Sequence, residues 1–240
     1  MSFDRKKDAG LPATVLSAET MLGVIETLGI VPFFENPIPG YSIEEMTARE
    51  NWFDGQEDLR LTPWDWKIPV VQSGDIAYGK FLWGGKAAFA TVDWYAELMN
   101  WRRSLSKYQP TEDQRLVLGY LDEHDTIGIK EIRGLLNVKK SAADALITKL
   151  QMQCRVVTGD ITRVYRGPDL HYNGWQVSSF CTPESLFCVD ALPGPGGFPF
   201  GESRTLEVDH SPAESLERLV EHIRGIAPGV PEKAVLKMLQ

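Results

Sequence analysis

The 240-residue chain has only three cysteines, and they follow no pattern. Cys154, Cys181 and Cys188 are odd in number and lack C-x-x-C spacing. That excludes a disulfide frame or a zinc site and fits buried thiols in a reducing cytoplasm. Long apolar runs are missing too: no segment approaches the roughly 18–20 residues needed to span a bilayer. Met1 to Asp8 has no apolar stretch of the kind a secretory signal needs. The expectation is a cytoplasmic protein with no membrane partner. The four histidines (His124, His171, His210 and His222) have no metal-ligand spacing, and no H-E-x-x-H occurs. Gly194 to Gly197 lacks the Gly-Lys-Ser/Thr of a phosphate loop, and no serine sits in a G-x-S-x-G turn. Neither a metal nor a cofactor is expected. Positive charge is also short: 25 basic residues face 33 acidic ones, for a net charge of −8. On bulk charge alone a polyanion is a poor partner.

The charges are nonetheless segregated. Between Ile127 and Pro168 stand Lys130, Arg133, Lys139, Lys140, Lys149, Arg155, Arg163 and Arg166, against Glu131, Asp144 and Asp160. With −8 overall and +5 in this stretch, the rest of the chain carries −13. The same stretch has a distinctive order of elements. Thr111 and Gln114 form a capping box ahead of an apolar stripe of Leu116, Val117, Tyr120 and Leu121. Gly128-Ile129 leads into a shorter helix with Ile132, Leu135 and Leu136 inward, ended by Asn137. A third helix is expected from Ser141, capped in S-x-x-D form by Asp144, to about Gln153. Arg155 to Arg166 and Trp175 to Phe180 then read as two strands around Gly167-Pro168 and Asn173-Gly174. Three helices and a β-hairpin in this order predict a winged helix over residues 110–188, with Trp175 anchoring the wing on the third helix. Such domains present one helix and the hairpin to duplex DNA. The expected DNA contacts are Lys130, Arg133, Lys139, Lys140, Ser141, Lys149, Arg163 and Arg166. The plainer alternative is a solvated basic face balancing an acidic neighbour.

Residues 15–105 read as a separate α+β region. Glu19 to Leu28 is amphipathic and Gly29 ends it; Ser42 and Glu45 form a capping box. Ile76 to Trp83 and Lys86 to Thr91 flank Gly84-Gly85, a hairpin signal, and Val92 to Arg103 reads as an aromatic helix. Six of the seven tryptophans fall here or at its end, and core is the default place for them. Residues 189–210 form a Pro/Gly-rich linker without regular structure. Residues 211–240 are a helical tail, in which Ser211-Pro212-Ala213-Glu214 combines cap, N1 proline and capping box ahead of a helix that Gly225 ends. The fold class is therefore α+β, a winged helix fused to an N-terminal α+β region and C-terminal helices.

Several strings resemble a bacterial family called AlkZ-related. They are Ala145 to Gln153 with Val156-Val157, Gly174-Trp175, Thr182 to Leu186, Pro63 to Lys67, Tyr78 to Phe81, and Lys86. The resemblance covers about residues 20–225. It implies distant kinship with the AlkZ/YcaQ-type winged-helix DNA glycosylases, which excise alkylated bases and depend on a Gln-x-Gln or Gln-x-Asp motif. An N-alkylated purine is already a cationic leaving group. A positioned water and groups that stabilise the oxocarbenium-like sugar are what such chemistry needs. Gln151-Met152-Gln153 has the right letters, here at the end of the third helix. The other reading is a polar helix end that hydrogen-bonds the hairpin, because residues two apart on a helix do not face alike. Asp65, between Trp64 and Trp66, is a further candidate acid; the plainer reading is a turn cap or a partner of Lys67. A base pocket would draw on Trp64, Trp66, Lys67, Lys80 and Lys86. Three functions follow: a DNA-binding module for repair or regulation, an active glycosylase, or a protein-interaction module. Oligomeric state is not legible.

Overall fold

The computed structural model describes residues 15–53, 61–188, 192–193, 199–200 and 205–240. Met1 to Asp8 and most of the 189–210 linker lie outside them. The chain is α+β. Ser17 caps α1 (Ala18–Leu28), accepting the Thr20 N–H at 3.2 Å, and Gly29 ends the helix at φ +68°. A Cβ at Gly29 would strike the Trp94 indole, so glycine serves close packing there as well as the turn. After β1 (Ile30–Pro32) come three short helices, α2 (Ile43–Met46), α3 (Glu50–Phe53) and α4 (Pro63–Gln72). The strands β2 (Ile76–Leu82) and β3 (Lys86–Thr91) form the expected hairpin, and α5 (Val92–Ser104) follows at once. This antiparallel sheet has the order β1-β3-β2, so β2 is an edge strand.

The next elements are α6 (Glu112–Glu123), β4 (Ile127–Gly128), α7 (Ile129–Leu136) and α8 (Lys140–Met152), then the long strands β5 (Val157–Arg166) and β6 (His171–Cys181). They make a second antiparallel sheet of order β4-β6-β5. The Thr111–Gln114 box forms as expected, the Gln114 Oε1 accepting the Thr111 N–H at 2.8 Å, and Asn137 ends α7 in the left-handed region. The chain continues through α9 (Pro183–Phe187), a two-residue ladder of β7 (Leu192–Pro193) and β8 (Pro199–Phe200), α10 (Pro212–Ile226) and α11 (Glu232–Met238). That ladder corrects the reading of the linker as wholly irregular: four residues of it pair.

Two apolar cores result. One joins α1, the first sheet, α5, α10 and α11, and takes in Cys154, Val157, Ile161, Cys181 and Phe187 from the second unit. The other is local to the second unit and includes Val117, Leu121, Ile132, Ile147, Leu150 and Phe180. The strands of the long hairpin therefore contribute to both cores, which fixes the two units against each other.

Three expectations change. The helix α8 begins at Lys140 with Lys139 at the N-cap, and no side chain caps it; Ser141 is exposed in its first turn, and Asp144 faces a cleft instead of the helix end. Trp175 does not pack on α8: it is 53% exposed. The cause is a β-bulge. The register passes from Arg163↔Gln176 to Tyr165↔Tyr172, leaving two extra residues on β6, and Gly174 supplies the positive φ of +82°. Bulges re-aim the side chains beside them. Of the six N-terminal tryptophans only Trp66 and Trp101 are buried, while Trp64 is 42% exposed at the rim of an aromatic cluster with Phe33, Phe34 and Trp52.

The strongest tie between the units is Arg102 on α5. It has no exposed surface, donates to the Met152 carbonyl at 2.8 Å and to the Leu239 carbonyl, and lies 5.2 Å from the Tyr108 ring. Replacing it by methionine keeps the volume but leaves both carbonyls unpaired, at about 1–3 kcal/mol each. Arg102→Met should lose about 3 kcal/mol or more of unfolding free energy in a urea titration. A loss below about 1 kcal/mol would show that those carbonyls find other donors.

Candidate nucleic-acid interface

Four residues of α8 stand in one stripe at i, i+4, i+7 and i+11: Lys140, Asp144, Ile147 and Gln151. All four line a cleft of about 610 Å³ between the two units. One wall is Tyr78 to Lys80 of β2; the other is formed by Gly128 to Glu131 and Arg133 at α7, with Trp175 to Ser178 of β6. Its charged lining is Lys80, Lys130, Arg133 and Lys140 against Glu131 and Asp144, a net positive surface in an acidic protein. Glu131 is partly committed, because its Oε2 accepts the Gly128 N–H at 3.1 Å.

Gln151 holds the floor of the cleft. Its Oε1 accepts the Lys80 N–H at 2.8 Å, and its Nε2 donates to the Thr158 hydroxyl at 3.3 Å. Gly79 permits this, since a Cβ there would come within 3.3 Å of the Gln151 carboxamide carbon. Gln153 faces away: it is buried, and its Nε2 donates to Gln114 Oε1 at 3.0 Å. The two glutamines thus face different neighbours: Gln151 lines the cleft, and Gln153, the C-cap residue, packs on α6 instead.

The expected DNA contacts divide in the same way. Lys130, Arg133 and Lys140 are exposed and line the cleft, with exposed Lys139 and Ser141 beside it. Lys149 is exposed but lies about 200° round the helix from Ile147 at 100° per residue, on the far side. Arg166 is exposed at the hairpin end, 5.7 Å from the Trp175 ring. Arg163 is already paired, its Nε lying 3.4 Å from Asp65 Oδ1 and its guanidinium 5.5 Å from the Tyr172 ring.

Asp65 belongs to a buried polar junction, not to the cleft. Its Oδ2 accepts the Thr62 N–H and hydroxyl at 3.3 and 3.2 Å, the capping role read from the sequence, and its Oδ1 accepts the Tyr172 hydroxyl at 2.7 Å. Its ion-pair partner is Arg163, not Lys67. Lys67 donates instead to the Trp64 carbonyl at 2.9 Å and to Gln176 Oε1 at 2.6 Å. Gln176 in turn donates to the Trp64 carbonyl and to the Tyr172 hydroxyl at 3.0 and 2.9 Å. Of the five residues expected around a base pocket, only Lys80 lines the cleft. Trp64 and Trp66 belong to the N-terminal core and its rim. Lys86 stacks on Trp83 at 3.9 Å. Sequence reasoning missed Tyr78, Gln176 and Ser178 as lining residues; alternation along β6 was the available signal, hidden by the bulge.

The stripe, the cleft and the N-terminal strings belong together in one further respect. The chain belongs to the AlkZ-related family. The match spans residues 15–240, the α+β half and the C-terminal helices included. AlkZ-related membership links the protein to DNA repair. No curated protein and no solved structure matched the chain. No helix of the described residues is long and apolar enough to cross a membrane, and no group of three metal-ligating side chains occurs among them.

The junction has a pH signature. Burial pushes the Lys67 ammonium down from 10.5 to about 8, with Asp65 opposing the shift. Between those values the folded state has released a proton that the unfolded chain still holds. The penalty for the buried charge is therefore complete below pH 8, and stability rises as pH increases from 8 to 10.5. Unfolding midpoints of the wild type and Lys67→Met, followed over that range, should move in favour of the wild type as pH rises. Parallel profiles would mean that Lys67 keeps an ordinary ammonium.

Proposed function

We propose that residues 110–188 are a winged helix that binds duplex DNA, with α8 as the recognition helix and the β5–β6 hairpin as the wing, in a cytoplasmic protein of alkylation-repair ancestry. The observation that carries this is the concave basic face. Lys130, Arg133, Lys139 and Lys140 gather at the open N-terminal half of α8, where main-chain N–H groups and the helix dipole also favour phosphate. The C-terminal half of the helix is docked: a Cβ at Gly85 in the β2–β3 turn would lie 2.8 Å from the Thr148 methyl group. DNA therefore has the first turns of α8, the part that recognition helices offer to base edges. Family membership supports the repair lineage, and the position of Arg166 on the hairpin supports a wing contact.

Binding without base excision is the preferred activity. Gln151 and Gln153 are buried and occupied with separate partners, and Asp65 is a helix cap in another junction. Gln151 and Asp65 are committed to these bonds, and Gln153, whose Oε1 has no partner among the described residues, is buried and does not line the cleft. Four phosphate contacts should give a log–log salt slope near −4 by the rule of about 0.9 per phosphate, and Lys139→Ala with Lys140→Ala should lower its magnitude by about two. Unchanged affinity and slope in that double variant would place DNA elsewhere or remove it as a partner. Duplex carrying 7-methylguanine, incubated with the protein and then treated with alkali, should stay intact. Strand cleavage lost in Gln151→Ala would make the protein a glycosylase.

A further inference from the structure

The free edge of β6 gives the cleft a reading surface that none of the charged residues provides. Strand β4 has only two residues, pairing Ile127 with Phe180 and Gly128 with Ser179, and Ile129 then turns into α7. Beyond Ser179, no strand among the described residues pairs with that edge of β6. Which main-chain groups face it follows from β5. The Ile161 N–H donates to Asp160 Oδ1 at 2.7 Å, and the Ile161 carbonyl accepts from Gln72 at 3.3 Å, so neither bonds β6. Ile161 pairs with Ser178, and Arg163 with Gln176. In an antiparallel ladder bonded and non-bonded pairs alternate. Ser178 and Gln176 therefore turn their N–H and C=O groups to the open edge, into the cleft.

That edge is rigid. The Gln176 side chain is tied to Lys67, the Trp64 carbonyl and Tyr172, and the opposite edge of β6 is bonded to β5. Fixed donors and acceptors at strand spacing match the polar edge of a nucleobase, and they need no side-chain rearrangement to bind one. Beside them Trp175 stands exposed on its bulge, a flat aromatic surface on which any base can stack. The four cations around the cleft suit the phosphates on either side of such a base. The volume of about 610 Å³ falls within the ~300–1,000 Å³ range of small-ligand sites and accommodates one nucleotide, not a duplex.

We propose that the cleft holds a single nucleotide turned out of its stack, its base read by the main chain of Gln176 and Ser178 and stacked on Trp175. This rests on the DNA-binding reading and adds its substrate class: duplex with an extrahelical base. Within the cleft that edge offers the main-chain groups of Gln176 and Ser178, and a base needs one or two such bonds.

The test compares full-length protein on three duplexes of one sequence: fully paired, with a one-nucleotide bulge, and with the same bulge lacking its base. Fluorescence anisotropy at fixed salt should show about tenfold or tighter binding to the bulge than to the paired duplex, and the preference should vanish for the abasic bulge. Trp175→Ala should abolish most of the preference for the bulge over the paired duplex, while Trp175→Phe keeps it; because Trp175 is exposed, both variants should unfold like the wild type. Salt-dependent binding that is equal on all three duplexes overturns the cleft proposal and leaves the DNA-binding reading standing. Absence of binding to any of them overturns both. Displacement of the bulged duplex by an oligoglutamate peptide but not by a mononucleotide would assign the cleft to an extended acidic peptide and overturn the proposal.

Discussion

A buried guanidinium holds this molecule together. Arg102 has no exposed surface, and among the described residues no carboxylate pairs with it. An isolated buried cation would be prohibitively costly in a low-dielectric interior. It is tolerated because carbonyl dipoles meet it: Met152 O at the negative end of α8, and Leu239 O at the end of α11. Its neighbour Arg103 extends the clamp, donating twice to the Cys154 carbonyl and pairing with Glu184. Together they anchor the C-terminal end of α8 to the N-terminal core. The basic first turn of α8 stays exposed beyond these ties, while Ala143 and Ile147 hold the N-terminal half of the helix in the local core.

The opposite side of the cleft is fixed by polar contacts of a different kind. Asp65, Tyr172 and Arg163 join α4 to the long hairpin, and Lys67 with Gln176 completes the junction. Half-satisfied buried networks are costly, and fully bonded ones give a single arrangement. Here both carboxylate oxygens of Asp65 and both amide atoms of Gln176 are occupied. The proposed wing is thus held at its base by apolar packing, from Val157, Ile161 and Cys181, and at mid-length by this junction. Its outer end, with Tyr165, Arg166 and Leu170, stays exposed.

What was legible in the sequence was local. Thr111–Gln114, Ser211–Glu214, Asn137 and Gly84-Gly85 each specify one helix end or turn through chemistry confined to a few residues, and each formed as expected. The order of helices and hairpin was legible for the same reason. What was not legible depends on residues far apart in the chain. Gln151 meets Lys80 across 71 positions and Lys67 meets Gln176 across 109, so no periodicity could announce either contact. Asn173-Gly174 was misread because a glycine with positive φ suits a bulge as well as a turn. The turn went to Gly167–Leu170, and the bulge turned Trp175 from an expected anchor into an exposed ring.

The same geometry constrains how base excision could be built on this scaffold. Gln151 lines the cleft and Gln153, at the C-cap of α8, is turned to Gln114 on α6, so the two do not address one water. The partner that shares a face with Gln151 is Asp144, seven residues back on the same stripe and likewise lining the cleft. One carboxamide and one carboxylate on a single face is one pairing able to hold a water beside an oxocarbenium-like sugar. Gln151 Oε1 is engaged by the Lys80 N–H and its Nε2 by the Thr158 hydroxyl, bonds that help seat α8 on β2 and β5. Structural work and catalytic work therefore compete for the same side chain, and in the present arrangement its carboxamide is spent on structure.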